Sequence, residues 1–137
     1  REELTNVRFP RNILEGELED LMRYLVIASN PPVRIVMRYE GGHAYGDTNR
    51  SYEHIDDVRV TRQTKKFSGQ IQTRDVKGAD FTVETAYDTL LSRQIYYGLT
   101  FSLVPGCEDE DLTSCDKGIM REVKRCIDTY FKSTKKR

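Results

Sequence analysis

Two short stretches of the sequence carry carboxylates at a spacing that suits a divalent cation. Residues 15–20 read EGELED, and residues 107–112 read CEDEDL. Alternate side chains of a β-strand point to the same face, so an acid–x–acid pair on a strand can bind one cation together. The chemistry of each stretch therefore depends on the element that contains it.

Helical periodicity runs through the first stretch. Asn12 and Glu15 have the spacing of a capping box, in which each side chain bonds a backbone amide of the first turn. An apolar face then repeats at three- and four-residue steps, as in an α-helix: Leu14, Leu18, Leu21, Met22 and Leu25. Because Pro31 and Pro32 lack amide donors, the pattern predicts a helix over residues 12–28.

The two acidic stretches are not predicted to form metal sites. Glu17 and Glu19 diverge by about 200° around a helix axis, so they cannot bind one cation together. Glu15 and Glu19 share a helix face, which we expect to be solvated. CEDEDL is predicted to be a solvated loop before the last helix, and it lacks the glycine and the terminal glutamate pattern of an EF-hand.

A second polar cluster lies in the stretch GGHAYGDTNRSYEHIDD, residues 41–57. Its side chains are of types that bind metals or transfer protons: His43, Asp47, His54, Asp56 and Asp57. Their spacing matches no zinc signature, and a polar hairpin loop has a similar composition. We therefore predict a loop with no catalytic or metal-binding residue and no cofactor, and metal binding here is left as an open alternative.

A two-residue apolar period predicts the clearest strands, over residues 33–39 and 94–104. Five residues of the second strand fall on one predicted inner face: Ile95, Tyr97, Leu99, Phe101 and Leu103. A shorter alternation predicts another strand over residues 80–87. Since Leu90 and Leu91 break this alternation, we expect a short helical piece at residues 85–93.

The middle of the chain is predicted to add a hairpin. Residues 57–63 and 66–74 each alternate apolar and polar side chains, and we expect their connection near residues 64–66. A last helix is predicted from Asp116, as its N-cap, to Phe131 or Lys132. Its apolar stripe has helical spacing: Met120, Val123, Ile127, Tyr130 and Phe131.

These elements predict an α+β domain. A helix precedes five or six mostly antiparallel strands, and an amphipathic helix follows them, with no βαβ alternation. We expect a strongly bent sheet or partly open barrel, for which the pleckstrin-homology topology is an analogy. The 137 residues suit one compact domain, which we expect to be excised from a larger protein, with flexible ends at residues 1–11 and 133–137.

The cysteines favour a reduced chain. Cys107, Cys115 and Cys126 form no CxxC pair, so we expect an intracellular protein of the cytoplasm or nucleus. The alternative is a secreted protein, in which Cys107 and Cys115 close a short loop and Asn49 of the N-R-S triplet accepts a glycan. No apolar run approaches the roughly 20 residues of a membrane span.

An arginine-bearing sheet face is the predicted ligand site. The net charge is zero, but residues 31–74 carry eight Lys and Arg against five Asp and Glu, so polyanion affinity must come from a local face. Guanidinium groups bind phosphate, and tyrosine rings stack on bases. The predicted ligand-binding residues are Arg34, Arg38, Arg59, Arg62, Arg74 and Tyr96.

The favoured function is a non-enzymatic binding module. Its predicted partner is either a protein or a polyanion, namely RNA or a phosphorylated ligand, because arginine suits protein interfaces as well as phosphate. The sequence names neither the partner nor the oligomeric state. No nucleophile elbow, zincin motif or phosphate-binding loop is present.

One family resemblance supplies the alternative function. The stretch from Val58 to Pro105, which ends IYYGLTFSLVPG, resembles in its strand spacing the tunnel-shaped, metal-dependent RNA triphosphatases. This resemblance implies a metal-dependent phosphohydrolase. The paired glutamates of that family lie on strands, whereas ELE here is predicted to be helical and Leu103 and Val104 stand where a strand glutamate is expected.

Overall fold

The computed structural model describes residues 3–40, 48–51, 66–76, 78–106 and 115–134. Strand β1 (Glu3–Ile13) is followed by helix α1 (Glu15–Ala28). Five strands come next: β2 (Arg34–Glu40), β3 (Thr48–Ser51), β4 (Lys66–Gln72), β5 (Ala79–Asp88) and β6 (Arg93–Leu103). Helix α2 (Asp116–Ser133) ends the described chain.

The six strands form one antiparallel sheet in the order β1-β6-β5-β4-β2-β3. The predicted α+β class is confirmed. The sheet is open, because β1 and β3 stand at its two ends and the described strands do not close it into a barrel.

Both helices pack on one face of the sheet. Helix α1 buries Leu18, Leu21, Met22 and Leu25, the face that its periodicity predicts. Helix α2 buries a matching stripe, and Phe9 of β1 stacks on Phe131 at 5.4 Å between ring centroids. The strands contribute the rest of this core, including Ile35, Met37, Phe67, Ile71, Phe81, Val83, Leu99 and Phe101.

The start of α1 differs from the prediction. The helix begins at Glu15, its N-cap residue is Leu14, and no side chain caps it. Asn12 lies in β1, because the strand continues to Ile13, which is buried and aligned with Tyr96 of β6. Tertiary strand pairing therefore overrides the local capping signal, and the segment expected to be a flexible end is a paired edge strand from residue 3 onward.

Glu15 is also placed differently from the expectation. It is only 9% exposed and does not lie on a solvated helix face. Glu17 and Glu19 are helical as predicted, and their contacts diverge. Glu17 receives hydrogen bonds from Arg11, while Glu19 pairs with Arg23 on its own helix. CEDEDL lies outside the described residues.

Strand β6 departs from its predicted alternation of buried and exposed residues, because its register with β5 shifts. Gly98 aligns with Glu84 of β5, but Tyr96 aligns with the next residue, Thr85, so Tyr97 is an extra residue in β6. Such a bulge moves the following side chains to the other face. Tyr96 is consequently fully buried, whereas Tyr97, predicted to point inward, is only half-buried.

The β5–β6 connection is a turn rather than the predicted helical piece. Strand β5 continues to Asp88, whose Oδ1 accepts hydrogen bonds from the amides of Leu90 (2.9 Å) and Leu91 (3.1 Å). Ser92 has a positive φ of 55°. A side chain that bonds the next amides in this way favours a turn over a helix.

Strand β4 has a neighbour on each side in the sheet. Both edges of Ser68–Ile71 are already paired, one with β2 and the other with β5. The predicted partner strand, residues 57–63, lies outside the described residues.

The last helix has nearly the predicted bounds. Its N-cap is Cys115 instead of Asp116, and Asp116 accepts a hydrogen bond from the amide of Val104 at 2.7 Å. This contact joins the end of β6 to the start of α2. No helix in the described ranges is long and apolar enough to cross a membrane.

Candidate functional site: the open sheet face

The face of the sheet opposite the helices is exposed and polar, and we call it the open face. From the residue before β2 onward, the buried residues Val33, Ile35 and Met37 alternate with the exposed residues Arg34, Val36 and Arg38. The strand register aligns Arg34 with Gln72, Val36 with Gln70 and Arg38 with Ser68. The register then continues across β5 to Asp80 and Thr82 and across β6 to Thr100 and Ser102.

The centre of the open face contains a shallow groove of about 540 Å³. Arg38 and Val36 stand on one side of it, and Asp80 and Thr82 stand on the other. At Gly69 a Cβ atom would lie only 2.1 Å from the carbonyl oxygen of Val36, so only glycine permits this approach of β4 to β2.

Hydrogen bonds hold the groove floor in place. Gln72 Nε2 donates to Gln70 Oε1 at 2.6 Å, and Gln70 Nε2 donates to Asp80 Oδ1 at 3.0 Å. This series of hydrogen bonds joins β4 to β5. Asp80 keeps its negative charge when it accepts this hydrogen bond from a neutral amide, so the described lining of the groove includes one cation, Arg38, and one anion, Asp80.

A second groove, of about 510 Å³, adjoins the first at Gln72. It is lined by Arg34 of β2 and by Arg74 in the turn after β4. Thr73 shapes this turn, since its Oγ1 accepts a hydrogen bond from the amide of Val76 at 3.1 Å. Arg74 itself is almost fully exposed and faces Asp75 at 3.6 Å, a separation at which an exposed pair contributes little stability.

The structure brings three of the predicted ligand-binding residues together. Arg34, Arg38 and Arg74 line the two adjoining grooves. Arg59 and Arg62 lie outside the described residues, as do the predicted loop residues His43, Asp47, His54, Asp56 and Asp57. In the described ranges, no group of three or more His, Cys, Asp or Glu residues is placed to hold a metal ion.

Tyr96 does not belong to the open face. Its ring packs on Phe67 in the core at 5.6 Å between centroids. Burial, and secondarily the negative charge of Glu15, raise the pKa of Tyr96 above its ordinary value. The predicted stacking role at this position was based on a strand alternation that the bulge interrupts.

The sequence-based reasoning missed Asp80 and Ser68 as groove residues. Asp80 precedes the buried Phe81 and alternates with it, so the two-residue period contained the signal. Ser68 is opposite Arg38 in the sheet, and this neighbourhood depends on strand order, which periodicity does not specify.

The cysteines differ in state. Cys115 is disulfide-bonded, which differs from the reduced chain that the spacing favoured, and Cys107 lies outside the described residues. Cys126 is a free, buried thiol. Burial, followed by the charge of Glu122, raises the pKa of Cys126 to about 11, so this thiol is protonated and poorly nucleophilic near neutral pH.

Comparison of the chain with protein-family models, with curated proteins and with solved structures finds no match. The open face itself is therefore the basis for a proposed function.

Proposed function

We propose that this chain is a non-enzymatic binding module that recognises a phosphate-bearing polyanion on its open face. The observation that carries the proposal is the placement of Arg34, Arg38 and Arg74 along two grooves that meet at Gln72. Guanidinium groups bind phosphate through paired N–H donors. Spaced along adjoining grooves, they suit an extended ligand with more than one phosphate, such as single-stranded RNA or a multiply phosphorylated small molecule.

Direct titration tests this proposal. Fluorescently labelled single-stranded RNA and a panel of inositol phosphates are titrated at low and moderate salt, and the triple variant R34A/R38A/R74A is compared with the unmodified chain. We expect affinity that falls with salt, and at least a tenfold loss in the triple variant. Each arginine that contacts a phosphate should lower the salt slope by about 1 when removed.

A charge-matched variant distinguishes binding at the open face from attraction by the overall charge of the protein. Arg121, Lys124 and Lys132 are cations of α2, on the helical layer of the protein, and their triple alanine variant removes the same charge. It should retain most of the affinity. Equal losses in the two triple variants, or no binding at low salt, would contradict a polyanion site on the open face.

A protein partner is the second candidate, and the chemistry of the central groove favours it. Val36 is 38% exposed there, next to glutamine, serine and threonine side chains and an acid, a mixture typical of protein interfaces. If the partner is a protein, the chain should bind neither RNA nor inositol phosphates. It should bind a protein ligand with an affinity that salt does not change and that the variant R38A lowers.

The phosphohydrolase alternative remains a prediction from the sequence. It requires carboxylates on the inner side of the strands, whereas the core residues of β2, β4 and β6 are apolar or aromatic, including Ile35, Met37, Phe67, Ile71, Leu99 and Phe101. No observation in the described part of the chain favours it. A hydrolysis assay on triphosphate-ended RNA with Mg²⁺ or Mn²⁺ tests it directly.

The cytoplasmic or nuclear location is likewise a prediction. The disulfide at Cys115 counts against it, because disulfides persist mainly in oxidising compartments. Thiol counting by mass spectrometry, on protein taken from its native cells under acid quench, would decide between the two settings.

A further inference from the structure

The β5–β6 hairpin extends beyond its neighbours in the sheet. Strand β4 pairs with β5 only from Ala79 to Thr82, and β1 follows β6 no farther than Tyr96. From Ala86 to Ile95 the described strands pair only with each other. Within the described ranges this segment, which we call the ribbon, is therefore a two-stranded extension of the sheet that ends in the turn at residues 89–92.

The tip of the ribbon is apolar and exposed. Leu90 is 95% exposed and Leu91 is 57% exposed, and Tyr87 just behind them is 54% exposed. No other large apolar side chain among the described residues is as exposed as Leu90. Two adjacent exposed leucines on a projecting tip mark an interaction site more than scattered surface residues do.

The turn presents these leucines in a fixed geometry. The Asp88 carboxylate accepts hydrogen bonds from the amides of Leu90 and Leu91. The acid is thus directed to the backbone, and part of its charge is compensated there. An ordered turn reduces the conformational entropy that the tip would lose when it binds.

Two opposite charges, Asp88 and Arg93, lie just behind the tip. Arg93 is exposed and, in the described part of the chain, forms no ion pair. It lies two residues after Leu91 and opposite Asp88 in the register. The ribbon therefore has leucines at its end, and a tyrosine ring and a guanidinium group immediately behind them.

We infer that the ribbon tip inserts shallowly into a phospholipid bilayer. The order of groups along the ribbon matches the layers of a membrane surface: leucines suit the acyl region, tyrosine suits the interface, and arginine binds the lipid phosphate. Leu90 and Leu91 are exposed at the end of a turn, so a fluid surface can receive them without a matching cavity. This inference is independent of the polyanion site, since Arg34 and Arg74 lie near the opposite end of the sheet.

A tryptophan reporter tests the inference. The chain contains no tryptophan, so in the variant Leu90→Trp the emission comes from position 90 alone. With vesicles of phosphatidylcholine, and of phosphatidylcholine with phosphatidylserine, we expect a blue shift of the emission maximum and protection from iodide quenching. The matched control is Leu4→Trp, because Leu4 is 68% exposed on β1 and is aligned with Ser102, far from the tip.

Vesicle flotation provides the second measurement. The variant L90D/L91D should lose association with both vesicle types, and circular dichroism should show an unchanged fold because these side chains face solvent. R34A/R38A/R74A should retain association with phosphatidylcholine vesicles. No emission shift with any vesicle, an equal shift at position 4, or undiminished flotation of L90D/L91D would overturn the inference.

Discussion

Glu122 of α2 holds the segment that follows α1. Its Oε2 accepts a hydrogen bond from the Asn30 amide at 2.8 Å, and its Oε1 accepts one from Arg125 Nε at 2.9 Å. The side chain of Glu122 is almost fully buried, whereas Arg125 is exposed. The bonds from Arg125, which outweigh the opposite effect of burial, lower the pKa of Glu122 below its ordinary value of 4.5.

This contact predicts an acid-sensitive contribution to stability. Because the folded-state pKa is lowered, the contribution is present above about pH 4.5 and is lost as the pH falls through the folded value. We expect Glu122→Gln to destabilise the chain near neutral pH by roughly 1–3 kcal/mol.

Urea unfolding of the original chain and of Glu122→Gln at several pH values checks this expectation. The stability difference between them should narrow below about pH 4.5. The same difference at acidic and neutral pH would show that the charge of Glu122 is not what holds Asn30.

At the scale of elements, two glycines differ in the space around them, one in a tightly packed strand and the other in an open helix turn. A Cβ at Gly69 would lie 2.1 Å from Val36 O and 2.9 Å from Met37 Cα, so β2 would have to move away from β4. Gly16, in the first turn of α1, has nothing within 4 Å of a built Cβ. The two positions therefore form a matched pair of glycine-to-alanine changes.

We expect Gly69→Ala to destabilise the chain by roughly 1–3 kcal/mol, as an overpacked site. Gly16→Ala should stabilise it by about 0.5–1 kcal/mol, because alanine loses less entropy in a helix. Thermal unfolding of the two variants measures both effects. A neutral Gly69→Ala would mean that β2 and β4 are farther apart than described.

At the scale of the whole molecule, Arg11 joins three elements. From β1 its guanidinium group donates to both oxygens of Glu17 on α1, at 2.8 and 2.7 Å, and to the backbone oxygen of Thr134 after α2, at 3.3 Å. The same group lies over the ring of Phe131 at 5.1 Å, and Tyr130 donates to Glu17 at 3.0 Å. The hydrogen bonds to Glu17 raise the pKa of Arg11.

Arg11→Ala should therefore destabilise the fold by roughly 1–3 kcal/mol, more than a typical surface ion pair contributes. Arg23→Ala is the matched control, since Arg23 has a similar exposure but its ion pairs among the described residues are with Glu19 and Asp20 of its own helix, at 3.3 and 3.4 Å. That control should change stability by less than about 0.5 kcal/mol.

A double-mutant cycle with Glu17→Ala isolates the coupling between Arg11 and Glu17. Additive effects of the two substitutions would mean that the three elements are held together without this pair.

Local periodicity in the sequence determined several elements well. A period of 3.6 residues predicts the apolar stripes of α1 and α2 correctly. A period of two residues predicts the inner residues of β2, and those of β5 near Phe81, correctly. The outward position of Arg34 and Arg38 follows from the same pattern, because a strand with one buried face must expose the alternate residues. This part of the candidate site was therefore predictable without a structure.

Only the tertiary structure decided which segments are neighbours. Pairing with β6 makes residues 3–13 a strand and delays α1 to Glu15, and the extra residue at Tyr97 turns Tyr96 into the core. Arg38 lines one groove together with Asp80, and Arg34 lines the other together with Arg74, because β2, β4 and β5 are neighbours in this order. Periodicity records which side of an element is apolar, whereas register and strand order arise from contacts between residues far apart in the chain.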